Sequence, residues 1–416
     1  MIIKHELIII GGGPAGLGAA IEAKKEGAKD ILILERENQL GGILKQCIHN
    51  GFGLHYFNEE LTGPEYANRF IDQIDEMSIS YKLNTMVLSI DKNKNITTTN
   101  EKDGFIIYQA KAIILAMGCR ERPRGSLRIP GANPSGILTA GTAQKFVNID
   151  GYLPGKECVI LGSGDIGLIM ARRLTLEGVK VKTVCEIMPY PGGLVRNIEQ
   201  CLNDYNIPLK LSHTVTKIHG KKRVEGVTIA KVDKNFNILE DTKEYIKCDT
   251  LLLSVGLIPE NELTTTMGCE IDNITKGAFV NQNLQTSIEG VFSCGNVLHV
   301  HDLVDYVTLE GNKAAKSALE YINRKNKSKV KRINVKSSNG IRYVLPQFID
   351  KSKKSEVIKI YFRTTKIFSD KYTYAKCNDK FIGKKKNLRL LPAQMEFIEI
   401  NSDDIKGNNI YIGVEK

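Results

Sequence analysis

Two short stretches of this chain carry glycines at the spacing that lets a backbone close on phosphate. In the first, Ile8-Ile9-Ile10 leads into Gly11-Gly12-Gly13-Pro14-Ala15-Gly16, and a helical pattern runs from residue 17 to 26. In the second, Val159-Ile160-Leu161 leads into Gly162-Ser163-Gly164-Asp165-Ile166-Gly167, with a helical pattern from 168 to 177. In a G-x-G-x-x-G turn the first glycine allows the tight bend and the second lets backbone approach a pyrophosphate. The third lets helix and strand pack closely. The helix start then offers free N–H groups and a partial positive charge to the phosphates. A carboxylate completes each set: Glu35 follows Gly16, and Glu186 follows Gly167, at one and the same spacing. An acid so placed, at the end of the following strand, accepts from a ribose 2′-hydroxyl. The chemistry indicated is dinucleotide binding, twice.

The elements that must position these residues repeat with them. Each set reads as strand, glycine turn, helix and strand, with the acids closing strands 31–34 and 181–185. Gly-Gly pairs follow at 41–42 and 192–193, and turn, acid and pair all recur at an offset of 151. A later apolar strand also recurs, Ile113 through Gly118 against Leu251 through Gly256. The second unit is expected to prefer NAD to NADP, because Glu186 would repel a 2′-phosphate and Lys180 and Lys182 form no obvious clamp for one. The alternative is a solvated strand-end glutamate.

Composition bounds what else the chain can be. Its 416 residues are 42% hydrophobic and 25% charged, an ordinary balance for two or three folded domains. The formal net charge is +11, but residues 326–416 hold 21 Lys and Arg against 9 Asp and Glu. Residues 1–325 hold 37 against 38, so the body is nearly neutral, which argues against a chain built throughout to bind polyanions. The longest apolar runs are too short to span a bilayer, and the segment Met1–Gly16 reads as a strand and turn rather than a leader. Nine scattered cysteines with no CxxC fit a reducing cytosol, and a cytoplasmic location is expected.

On these motifs the chain resembles the two-dinucleotide-domain flavoproteins that include thioredoxin reductase and glutathione reductase. The resemblance covers residues 1–325. It implies that the first unit binds FAD through Gly11, Gly13, Pro14, Ala15, Gly16, Glu35, Arg36, Gly42, Ile43, Val87, Ala116 and Gly118. A later motif ending Val291-Phe292-Ser293-Cys294-Gly295-Asn296 would close over the flavin through Gly295 and Asn296. NAD(H) would sit on Gly162, Gly164, Asp165, Ile166, Gly167, Glu186 and Gly256. The implied fold is α/β, with an NAD domain (123–284) inserted between two parts of an FAD domain (1–122 and 285–325). Flavin and nicotinamide would meet at the domain interface. Cys119-Arg120-Glu121-Arg122-Pro123 and Thr139-Ala140-Gly141 are similar to flavoprotein subunits of amine, opine, proline and cyanide-forming dehydrogenase complexes. The block from Cys47 to Phe57 is similar to anaerobe proteins accompanying a flavin glycerol-3-phosphate dehydrogenase.

Two departures from the resemblance carry consequences. The positions where glutathione reductase relatives place their redox cysteines hold Leu44 and His49, and no CxxC exists, so the dithiol relay is missing. Asn296 stands where the family usually carries Asp. Cys47 remains a candidate for peroxide or oxygen reduction through a sulfenic acid, and equally reads as a small buried hydrophobe. His49 and His55 lie in a glycine-rich loop, where substrate contact and plain packing are both open. His299 and His301 look like metal ligands, but groups two apart on a turn usually diverge and no third ligand is apparent, so no metal is expected. Gly311, Ala314, Ala315 and Ala318 give the following helix, residues 308–323, a small-residue face.

The basic tail reads as an exposed linker (326–340) and a small all-β sandwich (341–416). Ile358, Ile360 and Phe362 share one strand face, an Asn378-Asp379 turn follows, and Ile410, Ile412 and Val414 end the pattern. Lys353-Lys354 and Lys384-Lys385-Lys386 make it either a solvated surface or a docking module for an acidic partner; no nucleic-acid motif is present. The leading expectation is an oxidoreductase using FAD and NAD(H), with a second redox protein (a flavin dehydrogenase subunit or small electron carrier) as partner. The alternatives are an NADH oxidase or peroxidase using Cys47, or a mainly structural flavin subunit of a dehydrogenase complex.

Overall fold

The computed structural model describes residues 2–324, 331–351 and 356–415. The chain forms two compact units: residues 1–45, 50–119 and 259–416 make the first, and residues 46–49 with 120–258 make the second.

The first unit is organised by one seven-stranded sheet. Its apolar strand Ile2–Ile10 lies between Ile31–Leu34 and Gly104–Leu115, parallel to both. Ser80–Lys82 extends one side and Val291–Ser293 joins Gly104–Leu115, again parallel. Asn95–Asn100 and Met86–Ile90 close the other edge antiparallel. Strands covered on both faces must be apolar throughout. Accordingly Leu7 and Ile9 join one core cluster, and Ile8 and Ile10 another. The helix Pro14–Lys25 packs against Val304–Ile322 at close range: a Cβ at Gly18 would meet Thr308 Cγ2 at 2.8 Å. Ala314, Ala315 and Ala318 are fully buried, as their expected small-residue face requires.

The second unit repeats the plan. Glu157–Leu161 lies between Lys180–Glu186 and Thr250–Leu253 in a five-stranded parallel sheet flanked by Ile137–Thr139 and Leu209–Leu211. The repeat extends to register. Ile8 pairs with Leu32 and Ile113, and Val159, its equivalent in the second copy, pairs with Thr183 and Leu251. An antiparallel trio, His213–His219, Gly226–Lys231 and Glu244–Lys247, completes the unit. It ends at Ile258, before the expected boundary at 284.

The C-terminal residues form the expected sandwich, with a five-stranded sheet facing a three-stranded one. Its shared core takes Ile410, Ile412 and Val414 from the first sheet and Ile358, Ile360 and Phe362 from the second. Asn378 and Asp379 both adopt positive φ, 48° and 63°, turning the strand Phe368–Cys377 into Lys380–Leu390. The expected linker falls partly on residues 325–330, outside the described residues, as does the Lys353-Lys354 pair. The remainder is not linker: Arg332–Ser337 is a strand paired with Asn409–Glu415, because Ile333 and Val335 supply a buried face.

Within the first unit the sandwich is fastened to segments beside the seven-stranded sheet. Val280 and Gln347 exchange hydrogen bonds, and Asp350 accepts from Asn281 Nδ2 at 2.7 Å. Arg363 Nη2 reaches Asp302 Oδ1 at 2.5 Å and the carbonyl of Val300 at 3.1 Å, and Met395 N–H donates to Asp302 Oδ2 at 2.8 Å. The Arg363 and Asp302 side chains are only 12% and 24% exposed. Removing one partner of a buried pair leaves the other charge uncompensated. Arg363→Ala is therefore expected to lower the unfolding free energy by about 3 kcal/mol in urea titration. A loss under about 0.5 kcal/mol, the range of ordinary surface changes, would show that the clamp carries no stability.

Candidate dinucleotide sites

In each unit the acid at the strand end grips the glycine turn. Glu35 Oε2 accepts from Gly12 N–H at 2.6 Å and Oε1 from Glu37 N–H at 2.9 Å. Glu186 Oε2 accepts from Ser163 N–H at 2.9 Å and Ser163 Oγ at 2.6 Å, and Oε1 from Met188 N–H at 2.9 Å. Gly12, Glu35 and Glu37 map onto Ser163, Glu186 and Met188 at the same offset of 151. Gly41 and Gly192 close the loops in parallel, donating to Gly12 O and to Ser163 Oγ, each at 2.8 Å. Both carboxylates are buried, 6% and 8% exposed. A carboxylate offers about four acceptor positions, so each keeps capacity for a ribose hydroxyl.

The glycines divide the work as the motif requires. A Cβ on Gly16 would fall on the carbonyl of Gly11, so this glycine exists for helix–strand packing. A Cβ on Gly13 would meet nothing within 4 Å. Gly13 is the N-cap of Pro14–Lys25 with no side-chain cap, so no capping side chain takes the N–H groups of the first turn. Gly164 caps Asp165–Leu176 in the same uncapped way. Such a cradle fits a pyrophosphate, which takes the N–H groups and the positive helix end together.

The other expected contacts are placed as follows. Gly42 approaches Gly13, where its Cβ would stand 3.1 Å from the Gly13 Cα. Ala116 N–H donates to Ile10 O at 2.9 Å and its carbonyl lies against Gly11. A Cβ on Gly295 would meet Ala15 Cβ at 2.8 Å, which brings the late motif onto the first turn of the cradle helix. Gly118 and Gly256 both take positive φ. Val87 is buried in the core beside the sheet, Ile43 is exposed, and Arg36 is exposed beside Glu37. Asp165 uses Oδ1 to hold Leu194 N–H and Asn197 Nδ2, and Ile166 packs on the second unit's core. Asn296 Oδ1 accepts from His301 N–H at 3.0 Å, so it braces the loop that follows it.

Cys47 and His49 belong to the second unit. Gln46 Nε2 donates to Gly141 O and Gln144 Oε1, and Asn148 Nδ2 donates to Gln46 O, which seats the segment on Ala140–Asn148. Cys47 Sγ lies 3.7 Å from Gln144 Oε1, and burial pushes its thiol up to about 12. Burial and the charges of Arg196 and Arg172 push His49 down to about 4. At neutral pH the first is a thiol and the second a neutral imidazole.

Sequence reasoning missed three groups. Ser163 ties Glu186 to Gly192, and its place between two motif glycines could have suggested it. Asp305 is buried and accepts from Tyr56 N–H at 2.9 Å. Glu310, nine residues beyond His301, supplies the third group that the sequence pattern did not reveal: its carboxylate meets His299 Nε2 at 3.0 Å and His301 Nε2 at 3.1 Å.

Paired turns of this form, each between parallel strands of its own sheet and each closed by a buried strand-end carboxylate, are the arrangement that a two-dinucleotide fold requires. The family model for pyridine nucleotide-disulphide oxidoreductases matches residues 5–321. The chain belongs to that family. It is 23% identical to an opine oxidase subunit of Agrobacterium tumefaciens over 70% of this chain and 61% of that one. It is 26% identical to the CoA-dependent NAD(P)H sulfur oxidoreductase of Pyrococcus abyssi, over 73% of this chain and 64% of that one. The chain thus spans less than two thirds of the length of these curated relatives. Among solved structures, the thioredoxin reductase of T. acidophilum is similar with a TM-score of 0.62 and 25% identity, over 76% of this chain and 97% of that one. No helix among the described residues is long and apolar enough to cross a membrane.

Proposed function

We propose that this protein exchanges a hydride between NAD(H) and FAD and passes the electrons to or from a second redox protein, without a dithiol relay of its own. The observation that carries this reading is the matched pair of cradles, each with a helix start that no side chain caps and a buried strand-end carboxylate. Bound FAD supplies the group that accepts a hydride as a two-electron unit and releases electrons onward. The chain's own residues bind and orient. Gly11 to Gly16 and Glu35 hold FAD, Gly162 to Gly167 and Glu186 hold NAD(H), and Gly295 and Asn296 close the flavin side. Glu186 favours NAD, since its charge sits where NADP carries a phosphate.

The absence of a dithiol relay is supported by Leu44 and His49 at the family's cysteine positions and by the buried, protonated state of Cys47. The partner class is a flavin dehydrogenase subunit or a small electron carrier. The name of the opine oxidase relative supports this, since it describes one component of an enzyme. The Lys-rich sandwich is the surface such a partner would use if acidic. Part of that charge is already met within the chain, with Lys384 on Glu415 at 2.8 Å and Lys385 on Glu396 at 3.3 Å.

The test is anaerobic. Purified protein is expected to be yellow and to bleach on adding NADH, and Cys47→Ser is expected to bleach at the wild-type rate and extent. A chain that cannot be reconstituted with FAD sinks the proposal. A flavin that NADH leaves oxidised would make the protein a structural subunit. Loss of NADH-driven oxygen or peroxide reduction in Cys47→Ser would return the reaction to that thiol.

A further inference from the structure

We infer that His299, His301 and Glu310 form a binding site for one divalent transition-metal ion of the zinc class, which pins the flavin-closing loop to the helix beneath it. The three ligand atoms lie within 4.8 Å of one another and are nearly or fully buried, with His299 1% exposed. Divergence of residues two apart, expected for a turn, does not occur. The segment between Gly295–Val297 and Val304–Ile322 carries both rings to one side, with centroids 4.3 Å apart. Glu310 comes up from the helix, so the site joins two elements.

The donor set decides the class of ion. Two imidazole nitrogens with one carboxylate and no thiolate suit zinc and its neighbours, whereas magnesium and calcium prefer oxygen alone. Three protein groups leave the fourth tetrahedral position to water. The outer groups are also in place, and such partners orient the ligands. Gly295 N–H donates to Glu310 Oε2 at 2.6 Å, and Asn296 Oδ1 holds the backbone N–H of His301. Asp302, next along the loop, is clamped by Arg363 and Met395. Charge permits a cation: Asp302 neutralises Arg363, and Lys313 is exposed to solvent.

A purely hydrogen-bonded cluster explains less. With each Nε2–H donating to Glu310, His299 Nδ1 is still buried without a partner. Buried polar networks are favourable when fully satisfied and costly when not. Coordination at Nε2 gives that ring a stronger bond to set against the unsatisfied atom. It requires only that the neutral ring carry its proton on Nδ1 instead.

The experiment uses the full-length, flavin-loaded protein. It is incubated with excess zinc sulfate and desalted, and its metal is measured by mass spectrometry. About one zinc per chain is expected, with at least a tenfold weaker affinity in both Glu310→Gln and His301→Asn. Cys47→Ser should bind as wild type does. Cobalt(II) in the wild-type protein should give visible bands without a thiolate charge-transfer band, which reports on the ligands even if a variant fails to fold. Flavin-loaded protein that holds no zinc overturns the inference, as do variants that bind zinc as tightly as wild type, or a cobalt–thiolate band. Metal content is read separately from flavin reduction, so the site can fail while the hydride-transfer proposal stands.

Discussion

Gly13→Asp is expected to give a folded, colourless protein whose affinity for FAD is at least about 1000-fold weaker than that of wild type. The backbone there has φ −81° and ψ −172°, extended geometry that any L residue adopts. The new Cβ meets no protein atom within 4 Å, so the fold has no steric reason to change. Aspartate is among the best N-cap residues, so helix Pro14–Lys25 should form at least as well. What changes is the electrostatics of the cradle. A carboxylate would occupy the open helix start that otherwise receives a pyrophosphate. Two like charges about 4 Å apart repel by about 4 kcal/mol at an effective dielectric of 20, which is roughly a thousandfold. Flavin absorbance after reconstitution and far-UV circular dichroism read the two halves separately. Gly16→Ala provides the contrast, since its Cβ collides with the Gly11 carbonyl and should damage stability itself. A yellow Gly13→Asp protein with a full complement of flavin would remove the cradle assignment.

The second large effect concerns the nicotinamide cofactor. Wild-type protein is expected to favour NADH over NADPH by at least about 100-fold in kcat/KM for flavin reduction, and Glu186→Gln to bring that ratio below about tenfold. The carboxylate is 8% exposed and takes three donors, from Ser163 N–H, Ser163 Oγ and Met188 N–H. That leaves about one acceptor position for a ribose hydroxyl and none for a phosphate oxygen, which cannot donate. Repulsion of the same order as in the first unit then separates the cofactors. Glutamine keeps the size and one acceptor oxygen but removes the charge, so discrimination should fall more than folding. Its amide cannot satisfy donors on both sides, and NADH itself should bind about tenfold less tightly, the cost of one charged hydrogen bond. Stopped-flow reduction with each cofactor gives the ratio. Equal use of NADH and NADPH by the wild-type protein would contradict the role given to Glu186.

The two predictions rest on features of different visibility. The glycine turns, the strand before each and the acid after each are local in sequence, all within one strand–helix–strand unit, and steric rules require particular residues at particular steps. Gly13 and Gly16 look alike as letters, but one borders open space and the other a carbonyl, as the motif's mechanics demand. The helix 308–323 was legible for a similar reason, since Gly311, Ala314, Ala315 and Ala318 recur at helical spacing; the structure begins it earlier, at Val304. Arg36 follows the acid directly, and only the structure places its exposed side chain beside Glu37.

By itself the sequence determined that this chain folds as two dinucleotide units built to one plan and ends in a basic β sandwich. Each of these depends on patterns along short stretches: glycine spacing, apolar runs, alternation, and a turn at Asn378-Asp379. Only the tertiary structure decided what the isolated groups do, because their chemistry is set by residues distant in the chain. Cys47 is a thiol near neutrality because Gln144 and its helix, 97 residues away, bury it. Glu310 joins His299 and His301 because a helix carries it back under the loop that they occupy. The charged tail is more than a free arm because Arg363, 61 residues beyond Asp302, fastens it there. Burial and long-range pairing fix a group's protonation and partners, and neither is written in its neighbours along the chain.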